Sequence, residues 1–250
     1  MHELPSQPIS FVDGDELAQM ILPPIPDHVV CRWCRGLLAG NVDSCFNCVE
    51  NAAALDGVLQ PVVPISLYSK PSALRDWLTF YKDDGDTLAD PAAGRAVSRI
   101  VGSFFASSSD WLRDLEIDGC MVVPSTIRKP PHPLAVLLEA TGVVNYPTLG
   151  GLRRTTSALG HNRPNRLAFE ADGDLAERSV LLIDDVYTSG ARAQSAAFAL
   201  RSVGANVAAL VVVGRRYNPN YSRDSQTVFE RQRSVAFDWT AAARLDFRRT

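Results

Sequence analysis

The sequence predicts an α/β protein, a mostly parallel sheet with flanking helices, preceded by a small cysteine-built module. Two patterns carry this expectation. A strand-like stretch at 62–68 and short, continuously apolar runs at 120–123, 180–183 and 207–213 alternate with stretches of helical periodicity. Strands that are apolar on both faces belong to a parallel sheet covered by helices on each side. The second pattern is four cysteines within eighteen residues, Cys31, Cys34, Cys45 and Cys48, spaced C-x2-C-x10-C-x2-C.

Taken in order, residues 1–27 read as a tail and 28–60 as the cysteine module with its linker. Each C-x2-C pair chelates an ion through two thiolates on one turn, and two turns complete a tetrahedron. Zinc favours that closed all-sulfur shell, which leaves no open position, so a structural Zn²⁺ is expected; a pair of redox dithiols is the alternative. Gly36 is expected to supply the backbone freedom of the turn. His28 reads as a surface residue, and Trp33 and Phe46 as the module's own small core. The main domain is expected at 61–214. It begins with a strand at 62–68, followed by a helix from Ser72 with Leu74, Trp77, Leu78 and Tyr81 on one face. Ser72 is a suitable N-cap. The Asp-Asp-Gly-Asp run at 83–86 breaks that helix, and Pro91 opens the next. Ser107, Ser108 and Ser109 end or kink it. A buried strand at 120–123 makes Cys120 an inert core thiol. A loop at 125–133 carries Arg128, Lys129 and His132, the last expected to be exposed among its prolines, and a helix follows at 134–140. Residues 142–166 show no clear period and hold Arg153, Arg154, His161, Arg163 and Arg166 with no acid. A long, purely basic, aperiodic loop is more often functional than idle. Strands at 180–183 and 207–213 flank a helix at 191–203, and 215–250 is a polar extension.

Composition bounds the rest. At 250 residues, and roughly 150 per domain, the chain suits one full domain plus an appendage or two small domains. Its 46% apolar and 21% charged residues fit a globular protein rather than a disordered one. The longest apolar run is far short of the roughly 20 residues of a membrane span. The first thirty residues contain acids and prolines but no basic stretch. No membrane association is expected, and a cytoplasmic location with reduced thiols is. A net charge of −3 gives no general field for nucleic acid. Arginines outnumber lysines 22 to three, and their planar forks suit phosphate and carboxylate.

The most informative stretch is 180–192, Val-Leu-Leu-Ile-Asp-Asp-Val-Tyr-Thr-Ser-Gly-Ala-Arg. A buried strand delivers Asp184 and Asp185 at its C-terminal end, where ligands bind in open α/β sheets. Thr188, Ser189 and Gly190 then lead into a helix whose free N–H groups form an anion site. Carboxylates beside it suit hydroxyls or a hydrated divalent cation. A sugar diol with a nearby phosphate meets both requirements.

Those thirteen residues resemble the phosphoribosyl pyrophosphate (PRPP) motif of type I phosphoribosyltransferases. Together with the two C-x2-C pairs, the chain resembles the ComF family over roughly 30–214. Tyr81-Lys82 with Gly85-Asp86 is similar to a short element of that family, and Val122-Val123-Pro124 with Arg128 to its pyrophosphate-side strand and loop. The resemblance implies a Rossmann-like phosphoribosyltransferase domain with a zinc-ribbon-like module. It implies that Asp184 and Asp185 hold the ribose hydroxyls of PRPP. Thr188, Ser189, Gly190, Ala191 and Arg192 would line its 5-phosphate, and Ser125, Arg128 and Lys129 would face the pyrophosphate. The segment 142–166, with Arg153, Arg154, Arg163 and Arg166, would close as a hood, and Mg²⁺ would ride on the ligand's oxygens. The implied reaction is displacement of pyrophosphate by a nitrogen acceptor. The alternatives are a ComF-like non-catalytic module in DNA uptake or nucleic-acid handling, or a PRPP-sensing regulator. The zinc module could serve a nucleic-acid or protein partner, and a dimer fits the class.

Three positions depart from the family pattern. Arg192 stands where the motif usually closes with Thr; it would reach the phosphate or point to solvent. Lys129-Pro-Pro-His132-Pro-Leu134 replaces Arg-Gly-Phe-Asn-Gln. Thr188 stands where enzymes for 6-oxopurines hold an acid, which counts against such a substrate.

Overall fold

The computed structural model describes residues 14–38, 42–82, 89–157, 159–160 and 162–243. Its elements, in chain order, are α1 (Gly14–Leu17), α2 (Phe46–Ala54), β1 (Val62–Tyr68), α3 (Ala73–Phe80), α4 (Pro91–Ser107), α5 (Ser109–Arg113), β2 (Gly119–Val122) and α6 (Pro133–Thr141). They continue with β3 (Leu152–Arg154), β4 (Phe169–Ala171), β5 (Ser179–Tyr187), α7 (Ala191–Ser202), β6 (Asn206–Arg216), α8 (Arg223–Arg233) and α9 (Trp239–Ala243). Four parallel strands form the main sheet in the order β1-β6-β5-β2, and β3 pairs antiparallel with β4.

Local chemistry sets the helix limits. Ser72 Oγ accepts from the Arg75 N–H, and Asp90 accepts from the Ala92 N–H ahead of Pro91 in the first turn of α4. Gly142 closes α6 in the left-handed region at φ 60°. The serines at 107–109 separate α4 from α5, as expected. The expected breaker at 83–86, with Gly85 and Asp86, lies outside the described residues.

Alternation along the central strands builds two cores. Val63, Ile65, Leu181, Ile183, Val211 and Val213 face α3, α4 and α6, meeting Leu74, Leu78, Val97, Phe104 and Leu134. Val62, Val180, Leu182, Leu210 and Val212 face α7 and the cysteine module. The module shares this second core rather than standing apart: all four cysteines belong to it, together with Leu38 and Leu59. Trp33 packs against the same cluster, whereas Phe46, expected in the module's own core, is 73% exposed on α2.

Both chain ends of the described structure join the domain. Met20 is buried in the first core, and Ile21 runs antiparallel beside β1, where the Leu67 N–H donates to its carbonyl at 2.8 Å. Tyr217 stacks on Phe229 of α8 with centroids 5.7 Å apart, and Gln232 donates to the Leu22 carbonyl. Residues on both sides of the expected boundaries at 27 and 214 thus pack on the sheet. On the far side, the Cys120 N–H donates to the Pro147 carbonyl and the Leu149 N–H to that of Cys120. Cys120 is buried, as expected. No helix among the described residues is long and apolar enough to cross a membrane.

The chief difference lies in β5. The apolar run predicted a strand at 180–183, but the ladder continues through Asp184, paired with Val212, to Tyr187, paired with Arg215. The acid pair therefore sits within a central strand instead of at its end. A neighbouring strand satisfies its backbone, while cations from other elements meet its side chains.

Candidate functional site

The cleft lies at the C-terminal ends of β1, β2, β5 and β6 and encloses about 480 Å³. Its wall contains Ser125–Arg128 and His132 from the segment after β2, the run 184–193, Lys82, and Tyr68, Lys70, Arg75 and Arg216.

Asp184 and Asp185 are each about 99% buried. Strand alternation sends them to different neighbours. Asp185, in phase with Leu181 and Ile183, faces α3: Tyr81 Oη donates to its Oδ2 at 2.8 Å, and Lys82 forms an ion pair with the same oxygen. Asp184, in phase with Val180 and Leu182, faces α7. There Arg192 Nε lies 3.3 Å from its Oδ2, and Arg192 Nη2 bonds Asp184 Oδ1 and lies 2.8 Å from Asp185 Oδ1. Arg192 therefore takes neither of its expected courses. It folds back and braces both carboxylates, because an uncompensated buried charge is far costlier than a bent side chain. Burial pushes Asp184 up to about 7 against the pull of Arg192. Burial also acts on Asp185, yet Lys82 and Arg192 together hold it well below the usual carboxylate range. One fixed carboxylate thus stands beside one that titrates near neutrality.

His132 is a correction. It is buried at 8% exposure and caps α6, its Nδ1 accepting from the Leu134 N–H at 3.1 Å. Burial pushes it down to about 4, outweighing the Asp185 charge, with the Arg192, Lys82 and Arg128 cations adding to the shift. It is neutral at pH 7, and with Nδ1 accepting, its proton sits on Nε2. Pro133 directly after it is the sequence signal for an N-cap at this position.

Gly190 precedes α7 at φ 86°, and a Cβ there would lie 2.0 Å from Tyr187 Oη, so only glycine fits. Gly190 offers no side-chain cap, and Ser189 Oγ accepts from the Ala191 N–H at 3.4 Å. Behind the loop, Arg215 Nη1 donates to the carbonyls of Tyr187 (3.2 Å) and Thr188 (2.9 Å), and Asn51 Nδ2 donates to that of Ser189 (2.9 Å). Across the cleft, in the loop after β2, Ser125 Oγ accepts from the Arg128 and Ile127 N–H groups and shapes that turn.

The remaining expected residues lie elsewhere. Lys129 is exposed, and among the described residues lining the cleft neither it nor Arg153, Arg154, Arg163 or Arg166 appears. Arg153 pairs with Glu170 and Asp172, and Arg166 with Asp56 and the Ala54 carbonyl. Arg153 and Arg166 of the basic segment are thus compensated by acids that lie outside it in sequence. His161 lies outside the described residues.

The four cysteines converge. Their sulfurs all lie within 4.8 Å of one another, with Cys31–Cys48 at 3.7 Å and Cys34–Cys45 at 3.5 Å. Sulfurs on a tetrahedral zinc at about 2.3 Å stand roughly 3.8 Å apart, so the donor set fits a structural metal such as zinc. The surrounding charge fits too. Arg35 (1% exposed) and Arg215 (6% exposed) are both buried against these sulfurs. Four thiolates on a divalent ion carry about two negative charges, which two guanidinium groups offset. Gly36 serves differently from expectation. Arg35 takes the left-handed backbone at φ 58°, while Gly36 leaves room for Arg215, whose Nη2 lies 2.7 Å from where a Cβ would stand. His28 is exposed, as expected.

No protein-family model matches the chain, and no curated protein matches it. What fold and site define is an α/β protein with a four-stranded parallel sheet, helices on both faces and a buried four-cysteine cluster.

Proposed function

We propose that the cleft binds PRPP with magnesium, and that the protein is a type I phosphoribosyltransferase resembling ComF proteins, transferring the phosphoribosyl group to a nitrogen acceptor. The observation that carries this reading is the buried Asp184–Asp185 pair on a central parallel strand, two residues before a loop whose carbonyls are all held from behind. A carboxylate pair accepts from a vicinal diol, and a loop of outward amides at a helix start accepts phosphate.

In this reading Asp185, kept ionised by Lys82 and Arg192, accepts from one ribose hydroxyl, and Asp184 serves the other. Thr188, Ser189, Gly190 and Ala191 hold the 5-phosphate. The acid pair already carries two cations, so magnesium would be held by the ligand's own oxygens rather than by these carboxylates and would supply charge neutralisation for the leaving group. The C1–O bond to pyrophosphate breaks with its electron pair leaving on oxygen, the acceptor's nitrogen lone pair forms the C1–N bond, and that nitrogen sheds its proton to solvent. Arg128 and the Ser125 turn face the departing pyrophosphate, and His132 offers Nε2–H as a neutral donor to it. A closing role for Arg166 requires it to leave Asp56. A second reading, a PRPP-binding or sensing module without turnover, is favoured by Lys129 lying outside the cleft wall, which leaves Arg128 as the cation of the pyrophosphate side.

Thermal melts test the reading. Mg-PRPP at 100 times Kd adds about 2.7 kcal/mol, or roughly 5–10 °C for a chain of this size. Asp184→Asn with Asp185→Asn abolishes that shift. A wild type unmoved by millimolar PRPP refutes both readings. Pyrophosphate release across nucleobases, amines and water then separates enzyme from binder.

A further inference from the structure

We propose that Arg215 and Asn51 are positioning residues that couple the anion loop of the cleft to the four-cysteine cluster, so that metal loading of the cluster tightens phosphate binding in the cleft. The proposal rests on the loop 187–190 being an anion site, and it adds what sets that site's affinity.

The coupling starts from peptide geometry. In a planar trans peptide the C=O of one residue and the N–H of the next point in opposite directions. Three successive carbonyls, those of Tyr187, Thr188 and Ser189, accept hydrogen bonds from the side away from the cleft. The amides of Thr188, Ser189 and Gly190 are thereby turned the other way, and these three residues line the cleft. Beyond what Gly190 permits in the loop itself, the orientation is held from behind by two buried side chains. Asn51 is 1% exposed and Arg215 is 6% exposed.

Both side chains are anchored in the cysteine module. Arg215 Nε donates to the Cys34 carbonyl at 2.9 Å, and its Nη2 stands 3.6 Å from Cys34 Sγ. One rigid planar guanidinium therefore spans the cluster and the loop. Asn51 lies one turn beyond Cys48 on α2, whose start is fixed by Cys45 as its N-cap residue. A metal that holds the four sulfurs fixes Cys34 and the first turn of α2, and through them both clamps on the loop. Loss of the metal frees the module end of each clamp, and the three peptides are no longer held with their amides in the cleft.

Linkage makes the coupling reciprocal: if metal tightens phosphate by some factor, phosphate tightens metal by the same factor. A residue that merely supports the fold carries no such obligation. The test uses the full chain and inorganic phosphate. Calorimetric titration of zinc-loaded protein should give phosphate binding about 5- to 30-fold weaker in Asn51→Ala and in Arg215→Gln than in wild type. Zinc competition with a colorimetric chelator should show wild type holding zinc at least about 5-fold more tightly in saturating phosphate, with that ratio falling toward one in Asn51→Ala. Circular dichroism melts confirm that each variant is folded. If Arg215→Gln does not fold, Asn51→Ala and the wild-type zinc competition decide the matter. Equal phosphate affinity in wild type and Asn51→Ala, or zinc affinity indifferent to phosphate, overturns the coupling while leaving the anion site standing. Loaded wild type that binds no phosphate overturns the anion site and the coupling with it.

Discussion

Replacing Arg192 with Met separates the brace on the acid pair from everything else the cleft does. Arg192 is about a quarter exposed, but both carboxylates it bonds are 99% buried. Removing one partner of a buried ion pair costs about 3–5 kcal/mol. Lys82 still holds Asp185, so the loss falls on Asp184. That group's folded pKa of about 7 lies above its ordinary 3.8. Between those values the folded state binds more protons than the unfolded chain, so the contribution of Asp184 to stability falls as pH rises through that window and levels off above 7. Without Arg192 the folded pKa rises further. The variant then keeps losing about 1.4 kcal/mol per pH unit above 7, where wild type loses only about 0.3 kcal/mol over the next unit. Urea denaturation of both proteins at pH 6, 7 and 8 reads this directly. The stability gap should widen by about 1 kcal/mol between pH 7 and 8. A gap independent of pH, or smaller than about 1 kcal/mol at pH 8, would show that Arg192 does not carry the charge of Asp184.

Gly190→Ala places a methyl group against Tyr187 at positive φ, and melts should show a loss of at least about 1–2 kcal/mol together with weakened phosphate binding. His132→Asn keeps the α6 cap while removing a titrating group. The folded His132 pKa of about 4 lies below its ordinary 6.5, so wild type loses stability as pH falls through that window. Relative to the variant, wild type should weaken by about 1.6 kcal/mol between pH 6.5 and 5, measured as urea midpoints. Stripping the metal with a chelator should raise hydrogen exchange first in 31–38 and 42–62, then on the β5–α7 face that shares their core. Uniform exchange across both cores after stripping would contradict a cluster that braces one face.

What the sequence could express was whatever is written locally. The cysteine spacing, the N-cap at Ser72, the proline that opens α4 and the apolar centres of the strands all act within a few residues, and each is found where expected. Arg192 is close in sequence to the acid pair, but the other partners at the two sites are written far away. Tyr81 is 104 residues from Asp185, and Arg215 is 181 residues from Cys34. Hydropathy ended β5 at Ile183 because it cannot register that two carboxylates are neutralised from α3 and α7. The same blindness made 142–166 look like surplus positive charge, when Glu170, Asp172 and Asp56 balance Arg153 and Arg166. Arg215 was hidden by its position, as the first charged residue after an apolar run, where a strand is expected to give way to solvent.

The lone residue Ile21 beside β1, and residues 147–149 beside β2, have a consequence for association. A four-stranded open sheet has two outer strands, each with a row of main-chain groups able to template a further strand from another molecule. Here the Leu67 amide is taken by Ile21, and the amide and carbonyl of Cys120 are taken by Pro147 and Leu149. Each rim is blunted by a short piece of the chain's own irregular backbone, too brief to recruit a further strand. Self-assembly by strand addition is thereby discouraged on both sides. Among the described residues, exposed apolar side chains such as Phe46 and Val49 of α2 offer two copies another surface to meet on.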